Sequence, residues 1–340
     1  MNLRSLLFAS LAATAFACGD GADAPDKAAA RKGYGDGVWG ASYFPNIELT
    51  EHSGKKVRFF DDLIEGKVVM INFMFTSCPD VCPMETARLL DVQRLLGERV
   101  GTEVHMYSIS IDPTRDTPEV LAAYRERWGV QPGWSFYTGK LEEIDLLRQK
   151  LGVLAPELDP EMGAMDHNIN MVLGNQATGR WMRRSPFENP YGLANDLGTW
   201  LTNWKKRSPE TLVDQGDKGA PTIRTPSAGE VLFRTRCASC HTLGGVDTWG
   251  ITTGKRVGPD LYGVVANRDP AWLRRWLAEP DKMLAEKDPL AMSLLAASNG
   301  IAMPNAHLTP VDIDNVIAYL SEASAEIDKE RAASPATPPR

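Results

Sequence analysis

Cysteine is sparse in this chain. Five in 340 residues, at positions 18, 78, 82, 237 and 240, are too few for a disulfide-stapled scaffold, yet four of them fall in two close pairs that each need an explanation. There is no excess of positive charge. Lys and Arg total 37 against 44 Asp and Glu, and the net charge of -7 supplies no field to attract phosphates, which argues against nucleic acid as a partner. Internal repeats are absent as well. With 43% hydrophobic and 24% charged residues the composition is that of ordinary globular protein, which excludes a polytopic membrane protein and a largely disordered one. At roughly 150 residues per domain the length allows about two domains.

The one apolar run near the N-terminus, Leu6 to Ala17, follows Arg4 and is too short to span a bilayer, so it reads as an export signal. Ala15-Phe16-Ala17-Cys18 resembles a bacterial lipobox, which would make Cys18 a lipid anchor and place the protein on the periplasmic or cell-envelope side of a membrane; ordinary signal-peptidase cleavage is the alternative. Residues 19–40, rich in Gly, Ala and Asp, have no apolar period and are expected to form a flexible tether.

From 41 to 205 the pattern alternates strands with helices. Val57 to Phe60, Lys67 to Met74, Val104 to Asp112, Trp134 to Tyr137 and Ile169 to Leu173 read as strands, the second being an almost continuous apolar run suited to a strand buried on both faces. An amphipathic helix is expected over Pro83 to Leu96, and further helices from Thr117-Pro118-Glu119 onward, over Leu141 to Leu151, and over about Pro190 to Trp204. This is an α/β layer fold with a mixed sheet. Residues 206–227 read as a linker, 228–326 as a mostly α domain with helices at Trp272 to Ala278 and Asp312 to Ala325, and 327–340 as a disordered tail.

Cys237-Ala238-Ser239-Cys240-His241 has the spacing of covalent c-type haem attachment: two cysteines one turn apart form thioethers, and the adjacent histidine takes an axial position on iron. A zinc site would need a second ligand pair, and this half has no other cysteine and only one other histidine, His307. A sixth ligand must come from elsewhere. Met283 and Met292 fall in stretches that read as packed helix, Met303 precedes Pro304 in a loop, and His307 is a further alternative. Residues 226–325 resemble a class I cytochrome c, with Gly229, Phe233, Gly258-Pro259-Asp260-Leu261, Met303-Pro304 and Tyr319 as matching features. The resemblance implies one haem c, Met303 as the axial partner of His241, and the Pro259 carbonyl as the group that orients His241.

Thr76-Ser77-Cys78-Pro79-Asp80-Val81-Cys82-Pro83 lies between a buried strand and a helix start, a location expected to favour thiolate. A disulfide closing so short a loop would contribute only about 2 kcal/mol, so a redox-active or metal-binding pair is the better reading. Two thiolates suit Cu(I), and one imidazole would complete the site. His52 and His105 read as peripheral; His167 precedes a strand, where a loop could lie over the cysteines.

Residues 43–205 resemble the SCO/SenC family of thioredoxin-like copper chaperones, on the strength of the cysteine segment, of Ile111-Asp112-Pro113-Thr114-Arg115-Asp116-Thr117-Pro118 and of Asp166-His167. The resemblance implies a thioredoxin-like fold, a copper ion held by Cys78, Cys82 and His167, and delivery of copper to, or reduction of cysteines in, a respiratory oxidase copper-site subunit. Asp112 and Asp116 are expected to cap turns. The alternative from another class is a thiol-disulfide oxidoreductase; a third is a thiol domain that only docks, leaving a membrane-tethered cytochrome. A haem on the same chain is at high effective concentration, which suggests electron exchange with copper or with a further redox partner.

Overall fold

The computed structural model describes residues 39–79, 81–154, 170–202, 225–246 and 256–333. The export signal with Cys18, the tether up to residue 38, His167, linker residues 206–224 and tail residues 334–340 lie outside the described residues.

The first half is one seven-stranded sheet. Its strands are β1 (Glu48–Glu51), β2 (Lys56–Arg58), β3 (Val68–Met74), β4 (Val104–Ser110), β5 (Trp134–Gly139), β6 (Met171–Asn175) and β7 (Arg180–Arg184), in the order β2-β1-β5-β4-β3-β6-β7. β3, β4 and β5 run parallel and the rest pair antiparallel. β3 lies between β4 and β6, and all its residues but Phe73 are buried, as expected of an apolar run covered on both faces. The helices are α1 (Val81–Leu96), α2 (Pro118–Trp128), α3 (Leu141–Lys150) and α4 (Pro190–Asn195), the last continuing as a wider turn to Leu201. α2 starts and stops on local signals: Thr117 accepts from the Val120 amide, Pro118 occupies the first turn, and Gly129 closes the helix at φ 66°.

Three expectations change. The strand predicted through Phe60 ends at Arg58, because Phe59–Ile64 curl into a helical turn that buries Phe59, Phe60, Leu63 and Ile64 together. β1 and β7 are additional to the expected strands: neither alternates strongly, Leu49 being the one buried residue of β1 and β7 being rich in arginine. α1 is not one-faced: besides its apolar residues it buries Glu85, Thr86, Arg88, Asp91 and Gln93.

The second half is helical: α5 (Ala228–Leu232, continuing as a wide turn to Cys237), α6 (Pro270–Ala278), α7 (Pro280–Ala285), α8 (Pro289–Ala297) and α9 (Pro310–Ala333). α9 occupies residues 327–333 of the stretch expected to be a disordered tail. α5 crosses α9 at Gly229, where a Cβ would lie 2.0 Å from the Asn315 carbonyl oxygen, and Phe233 packs on Tyr319 with ring centroids 5.5 Å apart. No helix among the described residues is long and apolar enough to cross a membrane.

Candidate functional sites

β3 delivers the chain to a loop whose geometry is fixed from a distance. Asp116, fully buried, accepts from the Thr76 amide at 3.0 Å, the Thr76 hydroxyl at 2.5 Å and the Ser110 hydroxyl at 2.5 Å. This corrects the turn-capping role expected of Asp116, whereas Asp112 does cap its own turn through Thr114 and Arg115. The loop turns into α1 and places Cys78 and Cys82, both thiols, at 5% and 2% exposure. His52 pairs with the Phe136 amide and His105 stacks on Tyr107, which places both away from the pair as expected.

The electrostatics depart from the thiolate expectation. The hydrogen bond that the Cys82 thiol donates to Cys78, then burial, then the like charge Cys78 would carry hold the Cys82 thiol well above the ordinary cysteine range. These effects outweigh the helix start. A cation reverses the balance by attracting both sulfurs at once, so metal binding and loss of the thiol protons are linked. Beneath the pair, burial and the nearby Cys78 push the Glu85 carboxyl up to about 8 despite its hydrogen bond from Asn72 at 3.0 Å. Asn72 accepts from Ser108 at 2.6 Å and Ser108 from the Trp134 indole at 2.8 Å, a buried polar chain from Glu85 into the sheet. Sequence reasoning missed Glu85, Asn72 and the tether through Asp116; one available signal was an asparagine in the middle of an otherwise apolar buried strand. No group of three or more metal-ligating side chains is assembled among the described residues, and the third predicted ligand, His167, lies outside them.

The second site is a cleft of the helical half. Cys237 and Cys240 lie on one turn, with the amides of Cys240 and His241 each donating to the Cys237 carbonyl at 3.1 Å. Both cysteines, His241 and Met303 line an apolar cleft enclosing about 1340 Å³ with its open mouth included. His241 Nδ1 donates to the Pro259 carbonyl at 2.7 Å, which leaves Nε2 with its lone pair for a metal, and burial lowers the pKa of the ring. Gly258 permits this approach, since a Cβ there would fall 2.4 Å from the imidazole. Asp260 braces the loop by accepting from the Thr242 hydroxyl and the Gly244, Gly245 and Tyr262 amides. An imidazole with a fixed tautomer, two thiols one turn apart and an apolar cleft fit a covalently held haem.

Among the alternatives for a second axial ligand, Met303 lines the cleft; Met283 is buried against Trp276 and Ala291, Met292 is 39% exposed, and His307 is exposed on a backbone of φ 49°. Pro83, Met84 and Trp128 of the α/β half also line this cleft.

The SCO1/SenC family model matches residues 40–202 and the cytochrome c family model residues 226–324. Protein sco1 of Schizosaccharomyces pombe is 30% identical over 170 residues, 47% of this chain and 62% of that protein, so the chain spans less than two thirds of it. The mitochondrial SCO1 homolog of Homo sapiens is 35% identical over 132 residues, 37% of this chain and 42% of its own length. The structure of Bradyrhizobium japonicum ScoI with copper bound aligns at 30% identity with a TM-score of 0.37, covering 45% of this chain and 95% of that one. The SCO family binds copper, and a cytochrome c domain implies haem c. The chain therefore joins an SCO1/SenC domain of thioredoxin-like α/β fold, residues 40–202, to a helical cytochrome c domain, residues 226–324.

Proposed function

We propose that this protein carries copper to the copper-site subunit of a respiratory oxidase, and that its cytochrome domain handles the electron that copper chemistry requires. Copper is the cargo, held by the sulfurs of Cys78 and Cys82 and by His167. The haem would be attached through Cys237 and Cys240, with His241 and Met303 as axial ligands; when bound it supplies a one-electron couple. The export signal and Cys18 would tether the protein to the outer face of a membrane, where the client's copper site is assembled. One observation carries the reading: a buried, mutually hydrogen-bonded thiol pair shares a chain with a haem-type cleft organised around His241.

The chain's own residues do three things in this scheme. Asp116 fixes the loop before Cys78, so that the pair meets the ion with little rearrangement. The Cys82 thiol holds its proton until a cation arrives, which couples uptake to proton release. Pro259 holds His241 in one tautomer.

Copper titration of the purified protein, with metal analysis and a visible spectrum, tests the reading. One copper per chain is expected, lost in Cys78→Ser, Cys82→Ser and His167→Ala while the haem spectrum persists; copper uptake unaffected by all three variants overturns it. The hydrogen bond between the thiols also favours a second reading, a thiol-disulfide oxidoreductase. Thiol reductase activity retained by copper-free His167→Ala protein would select that alternative.

A further inference from the structure

α1 begins beside the copper-binding thiols, and two of its buried polar residues, Arg88 and Asp91, have partners in the other domain. Asp91, 4% exposed, forms an ion pair with Arg256, 6% exposed, through both carboxylate oxygens, the Oδ2 contact measuring 2.6 Å. The same Arg256 donates to the carbonyl of Ser239 at 3.3 Å, inside the haem-attachment turn between Cys237 and Cys240. Arg88, 2% exposed, donates to the Arg234 carbonyl at 3.3 Å, and Asn299 donates to the Arg127 carbonyl at the end of α2 at 2.9 Å. Apolar contact accompanies these bonds. Cys240, Val257 and Ile301 pack against the core of the α/β domain, while Pro83, Met84 and Trp128 form part of the haem cleft's wall.

A buried ion pair at a domain boundary is costly to desolvate and contributes most where it fixes one arrangement against others. Here it ties the attachment turn to the helix whose first turn carries Cys82, and Met84, two residues on, faces the cleft. We propose that α1 and the end of α2 are a docking surface for the cytochrome domain, latched by Asp91–Arg256, and that the haem's working redox partner is the copper held on the same chain. This rests on the copper reading given above. The step is balanced by one electron: ferrous haem becomes ferric, Cu(II) on the two thiolates becomes Cu(I), and no bond or proton moves. Reduction of a Cys78–Cys82 disulfide would instead take two such electrons and two protons, which makes copper the matched acceptor.

Flash photoreduction of the haem in full-length protein loaded with Cu(II) tests this. Ferrous haem absorbance and the Cu(II) paramagnetic signal are expected to decay together, at a rate independent of protein concentration. The paired neutral variant Asp91→Asn/Arg256→Gln is expected to slow that decay by about tenfold or more at unchanged copper stoichiometry, since it loosens the docked state. A rate that scales with protein concentration, or one unaltered in the variant, overturns the proposal. Normal copper stoichiometry without haem decay refutes the docking proposal alone; absent copper refutes the copper reading. Should the variant lose its haem, a protease site placed within residues 208–220 of the otherwise native chain decides: the cleaved halves are expected to co-elute, and their separation on elution overturns the docking.

Discussion

In the cytochrome half the groups that would attach the haem arrive within one turn of chain, Cys237 to His241, with Gly258 and Pro259 close behind and Met303 alone coming from a later loop, whereas in the α/β half the thiol pair depends on residues drawn from three strands and a distant loop. Asp116 reaches Thr76 across 40 positions, and Glu85 is linked through Asn72 and Ser108 to Trp134. A tethered cofactor needs local chemistry at the point of attachment and a cleft with few polar demands. A labile cargo needs ligands that are held in place yet can let go, and that control comes from the surrounding packing.

The contrast can be broken most sharply at the attachment turn. His241→Ala is expected to abolish normal haem assembly while leaving copper uptake by Cys78 and Cys82 intact, as read by haem absorbance and metal content of one preparation; joint loss of both would show that the sites are not separable.

A smaller effect separates ligand from packing among the methionines. Met283→Ala is expected to cost about 2–5 kcal/mol of stability in urea with the haem spectrum unchanged, because Met283 is 1% exposed and absent from the cleft. Met303→Ala is expected to do the reverse, altering the spectrum and lowering the haem potential. If Met283→Ala shifts the spectrum, the assignment moves to that residue.

At the thiol site, Asp116→Ala strips three hydrogen bonds from a buried carboxylate and should cost about 2–4 kcal/mol. Copper binding is expected to weaken along with it, which chemical denaturation and competitive titration would read side by side. Stability lost at full copper affinity would show that the loop holds its shape without Asp116.

The most gradual effect is a slope with pH, small at each step. Glu85 titrates near 8 in the folded chain against an ordinary value of 4.5, so the folded state keeps its proton more tightly than the unfolded chain does. Copper-free protein should therefore be most stable below about 4.5 as far as this group is concerned, and lose stability as pH rises toward about 8, by no more than about 1.4 kcal/mol per pH unit. Glu85→Gln should flatten that slope in pH-stepped urea melts; an unchanged slope would assign it to another group.

Legibility in the sequence followed the same division. The haem turn and the cysteine pair stand out because their chemistry is contiguous, and β3 because an apolar run covered on both faces has few alternatives. The Met303 loop was legible too, through its proline and its place before a capped helix: Thr309 and Asp312 hold each other's amides at the start of α9. β1 and β7 were not, since β1, though paired on both sides, buries only Leu49, and the arginines of the edge strand β7 look like any exposed surface. Asp116 read as a turn cap because its partner is remote. The polar residues of α1 read as a solvated face, but Glu85, Thr86 and Gln93 find partners inside the α/β domain and Arg88 and Asp91 find theirs in the second domain.

That last point bears on how the molecule comes apart. A helix enclosed by its own sheet and by a neighbouring domain cannot be released by one without stranding Arg88 and Asp91 beside the other. The two halves, though joined by a linker and matched by separate families, should then share a single cooperative melting transition in place of two, with α1 as the element through which heat damage in one half is felt by the other.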